Sequence, residues 1–583
     1  MIFRVLRKFG TILSMHQKKR IVQLVVLMIF GGFLETFSIS IVLPFMNLIM
    51  NPDEMMSKWY IIDLCGLLGI QSAKTFLFVL AAAIAVLYIW KNIYLMIQYH
   101  IQYRFVYENM FSMQKRLLDS FIHRPYEYYL GANSGEIIRI INTDTVNTFN
   151  LLVTCLLLFT ELIVSVMLAA AIFMITPLVT VCILVLLLFL LMMIVTFIRP
   201  CLRQEGMNLQ KAAAGMNMWL MQSIQGIKEI KVMQKEKFFC RNYERNGKVY
   251  VRSLRRNQTF GILPRFVIEG VCMGSMFMMA AVLVFLDISL EALIPALTAV
   301  AMAAVRLLPS VNRISSSLAQ IAYNEPMLDK MIENLNLINK SDQQEQSAAE
   351  KNEPAEEKFR ADSYGRICFE HISYHYPDSD DWIFKDAVLE IHQGESIGIA
   401  GASGAGKTTL ADVILGLLIP QKGRILIDGE DIQDDMEKWL GQTGYIPQMI
   451  FMLDDTIKAN VAFGEEEIQD ERVWEALKEA ALDEYVRSLP QGLDTNIGER
   501  GVRISGGQRQ RIGIARALYF NPKILILDEA TSALDHETES VIMDSIHKLQ
   551  GKKTLIIIAH RLSTIEACEH LYRVRNGRVI KER

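Results

Sequence analysis

Long unbroken apolar runs fill the first 310 or so residues, whereas the last 220 or so alternate short apolar runs with glycine-rich turns. Six stretches in the first region have the length needed to cross a bilayer as a helix, about 20 residues. They are Ile21–Leu43, Phe76–Ile97, Leu151–Ile175, Leu178–Ile198, Val267–Leu286 and Ala292–Leu308. An even number returns the chain to the side on which it began. Residues 98–150 and 199–265 are polar and rich in Lys and Arg but keep a helical pattern. They predict helices that continue out of the membrane on its basic, cytoplasmic side. Thr176-Pro177 leaves room only for a tight external hairpin. The partly apolar stretch Asn51–Lys74 reads either as an amphipathic helix at the outer surface or as a plain loop.

Two breaks interrupt the long polar loops, at Pro125-Tyr-Glu-Tyr-Tyr-Leu-Gly131 and around Gly226-Ile-Lys-Glu. Each reads either as loop punctuation or as a short helix docking on the C-terminal domain. The second reading is preferred because of what that domain contains.

Composition sharpens this division. Apolar residues make up 51% of the 583 residues and charged ones 21%, too apolar a balance for an ordinary soluble enzyme. The net charge of −3 gives no global signal for nucleic acid, and none is expected as a partner. The eight cysteines show no paired spacing, so neither a disulfide frame nor a metal cluster is expected. The basic N-terminus precedes an apolar run too long for a signal peptide. Polar residues 339–358 predict a flexible linker between a membrane domain, 1–338, and a second domain, 359–583.

The second domain carries the chemistry. Gly401-Ala-Ser403-Gly404-Ala405-Gly406-Lys407-Thr408 has two glycines separated by four residues, then Lys and Thr. A strand-like run precedes it and a helical run beginning at Thr409 follows, the setting a phosphate-cradling loop requires. Its glycines let backbone N–H groups turn towards the phosphates of ATP. Lys407 supplies a point charge, and the Thr408 hydroxyl suits Mg²⁺. Asp528 and Glu529 end the apolar run Ile524-Leu-Ile-Leu527. Asp528 suits Mg²⁺, and Glu529 suits the polarisation of an attacking water. Gln448, in Tyr445-Ile-Pro-Gln448, can reach the metal or that water. His560 follows the strand-like Thr554–Ala559 and can reach a γ-phosphate. Tyr376 is a candidate to stack on adenine, with Tyr374 and His375 as competitors.

Ser505-Gly-Gly507-Gln508 opens a helix whose N–H groups and positive end suit an anion. The P-loop already serves the chain's own phosphates. The natural ligand is therefore the γ-phosphate of an ATP held by another chain. Ser532-Ala-Leu-Asp535 suits a dimer contact.

With these motifs in place the chain resembles the ABC exporter family over essentially its whole length. The one departure is Ile504, where Leu is commoner. The resemblance implies a membrane α-helical domain of six transmembrane helices, of the exporter (type IV) kind, fused to an α/β P-loop nucleotide-binding domain. It implies an ATP hydrolase using ATP and Mg²⁺, with two copies of the chain closing over two ATPs. The expected location is the cytoplasmic (inner) membrane of a bacterium, multi-pass, with both termini cytoplasmic.

Three stretches of the membrane half carry a narrower resemblance. They are Phe33-Leu-Glu35-Thr-Phe-Ser-Ile-Ser-Ile-Val-Leu-Pro44-Phe, Leu263-Pro-Arg265-Phe-Val-Ile-Glu269-Gly and Arg306-Leu-Leu-Pro309-Ser-Val-Asn-Arg313. They resemble the PglK-type flippases of lipid-linked oligosaccharides. That resemblance implies a polyprenyl-pyrophosphate cargo drawn from membrane lipid. Lys91, Arg265 and Arg306 are the basic groups at or near apolar spans, where charge is costly. They are candidates to grip the pyrophosphate. Competing readings pair Arg265 with Glu269 one turn away, let Lys91 snorkel, and pair Arg306 with Glu35, Glu161 or a cytoplasmic helix. A general lipid, drug or peptide exporter is the alternative function.

Overall fold

A computed structural model describes residues 2–41, 72–132, 134–175, 177–285, 309–336, 364–377, 379–529, 536–559 and 562–583, with scattered positions between 45 and 66. The chain divides into two compact units. One comprises Met1–Arg124 and Ala132–Gln346; the other comprises Pro125–Gly131 and Ser347–Arg583.

The first unit is helical. Helix α1 (Ile2–Ile12) is followed by α2 (Met15–Ser40) and α3 (Ala73–Ile122). The short α4 (Tyr126–Gly131) groups with the other unit. The first unit resumes with α5 (Thr145–Ile175), α6 (Pro177–Gln225), α7 (Ile227–Val232), α8 (Glu236–Phe285) and α9 (309–336). At 1.5 Å per residue, the 50 residues of α3 reach about 75 Å. That is far beyond a hydrocarbon core of about 30 Å, so the helix must continue into water, as the polar stretch after residue 98 predicts. Both predicted breaks are present. α3 stops before Pro125, and Gly226 caps α7. Pro177 occupies the first turn of α6, where its missing N–H costs nothing.

Among the described residues, three helical stretches are long and apolar enough to span a membrane: Met15–Ser38, Ala73–Ile122 and Gly135–Ala171. They overlap the first three predicted spans. The fourth lies within α6, the fifth within α8 except for its last residue, and Ala292–Leu308 lies outside the described residues. The core of this unit gathers Met28, Val106, Leu117, Phe149, Leu151, Leu158, Ile321 and Leu328. Val5 and Phe9 pin α1 into it, while Arg4 and Arg7 stay in solvent.

The second unit is built on two sheets. One is a four-stranded antiparallel sheet of order β2-β1-β4-β5, formed by β1 (Arg366–Tyr374), β2 (Phe384–His392), β4 (Lys422–Ile427) and β5 (Glu430–Asp431). The other runs β10-β9-β3-β8-β7-β6. Its strands are β3 (Ser396–Gly401), β6 (Thr443–Ile446), β7 (Ile524–Asp528), β8 (Thr554–Ile558), β9 (His570–Arg575) and β10 (Arg578–Lys581). β3, β8, β7 and β6 are parallel neighbours, and β7 and β8 are buried along their whole length. Parallel strands covered on both faces read as continuous apolar runs, hence Ile524–Leu527 and Leu555–Ile558. Parallel pairing also puts the carboxyl ends of these strands on one edge, where open α/β sheets bind ligands.

Candidate functional site

The loop leaving β3 turns through Gly404 (φ 76°) and Gly406 (φ 96°) into α10 (Lys407–Ile414). A left-handed φ favours glycine. At Gly406 a Cβ would also collide with the side chain of Ile383. The turn is the one a phosphate cradle needs. Lys407 is 5% exposed. Its Nζ donates to the carbonyls of Gly401 and Ala402, each at 3.1 Å, and lies 3.9 Å from Glu529 Oε1. Burial lowers its pKa, opposed by the carboxylates of Glu529 and Asp528.

Asp528 closes β7 at 1% exposure. Glu529 turns out of the strand at φ 49°, an uncommon conformation for a residue with a Cβ. Its N–H donates to Ile558 O at 2.9 Å, which ties the turn to β8. Gln448, just beyond β6, donates from Nε2 to Glu529 Oε2 at 2.7 Å. One oxygen of this carboxylate therefore faces Lys407 while the other is held by Gln448. Thr408 is exposed beside Lys407. Together Thr408, Gln448 and Asp528 offer a hydroxyl, an amide oxygen and a carboxylate. These are hard oxygen donors of the kind that hold Mg²⁺, so the residues present fit that ion.

Near the adenine candidates, Tyr374 is fully buried and its hydroxyl donates to Glu127 of α4 at 3.4 Å. The His375 ring packs edge-on against Trp382 at 4.9 Å. Tyr376 is only partly buried, and its hydroxyl lies 2.9 Å from that of Thr409 in α10. Of the three, Tyr376 is the one tied to the phosphate-loop helix.

Ser505 caps α12, here the helix Gly506–Tyr519 that follows α11 (Asp470–Glu479). Its Oγ accepts from Gln508 N at 3.2 Å, and Gln508 Oε1 accepts from Ser505 N at 2.8 Å. This capping box occupies the Gln508 side chain. The Ser505 hydroxyl and the first-turn N–H groups of Gly506 and Gly507 remain available to an anion. Among the described residues, the hydrogen bonds of Ser505 stay within its own turn and the first turn of α12. His560 and Ser532–Asp535 lie outside the described residues.

Residues 384–532 match the family model described as ABC transporter, and residues 21–307 match the ABC transporter transmembrane region. The chain belongs to the ABC transporters. The two matches take in about three quarters of it. A Staphylococcus aureus (strain NCTC 8325 / PS 47) protein named for multidrug export, an ATP-binding/permease protein, is 44% identical over 218 residues. That stretch is 37% of this chain and 38% of the relative. The ATP-dependent lipid A-core flippase of Chromobacterium violaceum is 42% identical over 219 residues, again 37% of this chain and 38% of the relative. The aligned stretch thus spans well under half the length of these curated relatives. The solved structure of a bacterial Atm1-family ABC exporter with ATP bound has the same fold, at a TM-score of 0.73 and 22% identity. The likeness covers 96% of this chain and 94% of that one.

Two of the charged candidates in the membrane half of this transporter have local partners. Lys91 is 8% exposed, with its Nζ 4.8 Å from the centre of the Tyr88 ring. Arg265 lies 4.0 Å from Glu269, one turn along α8, with both side chains exposed. Arg306 lies outside the described residues. Among those described, Glu161 pairs with Arg313 at 2.5 Å. Arg313 was visible in the stretch beginning at Arg306. Its helix register singles it out only once α5 and α9 are packed.

Proposed function

We propose that the chain is one half of a homodimeric ABC exporter that uses ATP to flip a lipid-linked oligosaccharide or polysaccharide precursor, of polyprenyl-pyrophosphate type, across the cytoplasmic membrane. The observation that carries the ATPase reading is the carboxylate of Glu529 fixed between Lys407 and Gln448. In this reading Lys407 and the N–H groups of Gly404 and Gly406 hold the β- and γ-phosphates. Tyr376 lies under the adenine. Glu529, oriented by Gln448, draws the proton of the attacking water, and His560 steadies the γ-phosphate. Mg²⁺ held by Thr408, Gln448 and Asp528 would neutralise charge on the transferring phosphoryl group. Ser505 and Gly507 complete the site of a second copy. Closure of the pair is then communicated to the membrane helices through α4, which packs with the nucleotide-binding unit.

The cargo reading rests on the three membrane-half stretches, and a relative named as a lipid A-core flippase favours a saccharide-bearing lipid. Lys91, Arg265 and Arg306 are its candidates for the pyrophosphate. The relative named for multidrug export favours the second reading, a drug or general lipid exporter. The deciding experiment measures ATPase activity in proteoliposomes with and without polyprenyl-pyrophosphate oligosaccharide, alongside a flipping assay. Stimulation and flipping that disappear when the three basic residues are neutralised support the proposal. Activity indifferent to the saccharide lipid but raised by hydrophobic drugs would replace it.

A further inference from the structure

The described residues of the N-terminal unit line an open cavity of about 580 Å³ between α3, α5 and α9. That volume lies within the range of small-molecule sites, about 300–1,000 Å³. Tyr99 and Tyr103 of α3 form one wall, with Glu161 of α5 and Asn312 and Arg313 of α9 opposite. The two tyrosine rings lie 6.4 Å apart at 22°, and Tyr107 extends the ladder by another 6.4 Å. Glu161 is 7% exposed, and its charge is matched by Arg313. Asn312 Oδ1 is buried with no hydrogen-bond partner among the described residues. An unmet buried acceptor costs roughly 1–3 kcal/mol, which a donor on a ligand would relieve.

These features select one ligand chemistry. The Glu161–Arg313 pair brings no net charge, and Glu35 adds one carboxylate nearby, so charge gives an anion no advantage here. The pair does supply donors and acceptors side by side. The tyrosines supply flat apolar faces with polar edges. A ligand with hydroxyls on its rim and C–H groups on its faces satisfies all of them. We infer that this cavity is a carbohydrate subsite, with Tyr99 and Tyr103 under the sugar, Asn312 Oδ1 accepting from a hydroxyl, and Glu161 and Arg313 bonding its neighbours. The inference deepens the proposed function and rests on it for the source of the sugar.

The test compares full-length protein in proteoliposomes given undecaprenyl diphosphate or the same lipid carrying an oligosaccharide. In the wild type, the saccharide lipid half-saturates ATPase stimulation at a several-fold lower concentration than the bare lipid. Asn312→Ala and Tyr103→Ala bring the two concentrations together, whereas Tyr103→Phe, which keeps the ring, preserves the gap. Variants that shift both lipids equally, or neither, overturn the subsite. So does stimulation by tetraphenylphosphonium that vanishes in Glu161→Gln, which would make the cavity a cation site. If neither lipid stimulates the wild type, the cargo proposal fails separately. The subsite is then judged by saturation-transfer NMR with free chitotriose and maltotriose. Transfer that is lost in Asn312→Ala upholds it, and absence of transfer in the wild type overturns it.

Discussion

The nucleotide-binding unit and the membrane unit handle their charges in opposite ways. In the first, Lys407, Gln448 and the adjacent Asp528 and Glu529 come from three distant parts of the sequence, yet parallel pairing of β3, β8, β7 and β6 delivers them to one edge. Their charges converge, and Lys407 and Glu529 stay buried 3.9 Å apart, ready for an added polyphosphate. In the membrane unit three described basic groups each meet a partner of their own. Lys91 sits against Tyr88, Arg265 against Glu269 and Arg313 against Glu161. A site that must accept a tetra-anion keeps its charge concentrated.

The sharpest way to break this contrast is at its most concentrated point. Glu529→Gln keeps the hydrogen-bonding shape but removes the base. It should lower ATP turnover by about 100-fold or more while ATP binding persists. Near-normal hydrolysis would remove Glu529 from the mechanism.

A second effect is smaller and depends on pH. Asp412, 8% exposed on α10, has its carboxyl pushed up to about 6, first by burial and then by the charge of Asp528. Its folded-state pKa lies above the unfolded value, so the fold favours the protonated form. The stability this gives is present in full below about pH 4 and is lost as pH rises through about 6. Asp412→Asn should therefore raise the melting temperature more at pH 8 than at pH 5, by an amount corresponding to at most about 3 kcal/mol. An equal gain at both pH values, or a loss at pH 8, would contradict the assignment.

The smallest effect belongs to the membrane half. Arg265 and Glu269 are both exposed, and breaking such a pair costs little. Replacing either with Gln should change thermal stability by less than about 1 kcal/mol, read from unfolding in detergent micelles. A larger loss would show that this pair, too, holds the unit together.

The same contrast explains what the sequence made legible. P-loop, strand-end carboxylates and helix cap each occupy a few consecutive residues, because strand–loop–helix geometry is local. Lys407, Glu529 and Ser505 could be named before any fold was known. That Gln448 would hold Glu529, and that Gln508 would spend its side chain capping its own helix, required the packed structure. In the membrane unit the apolar runs marked stretches that lie within the long helices, and the polar loops showed the breaks at Pro125 and Gly226. They could not reveal which faces meet. Glu161 and Arg313 lie 152 residues apart. Tyr99, Asn312 and their common cavity leave no consecutive motif, since only the register of three packed helices brings them together.

The central claim is that one chain cannot complete an ATP site. The most direct test mixes two inactive variants, Lys407→Ala and Ser505→Arg, and reassembles them as dimers. If Ser505 serves the partner's ATP, mixed dimers contain one intact site, and hydrolysis returns in the mixture although each variant alone is silent. If each chain uses its own Ser505, every site in the mixture carries a defect. The mixture then stays as inactive as its parents, contradicting the account.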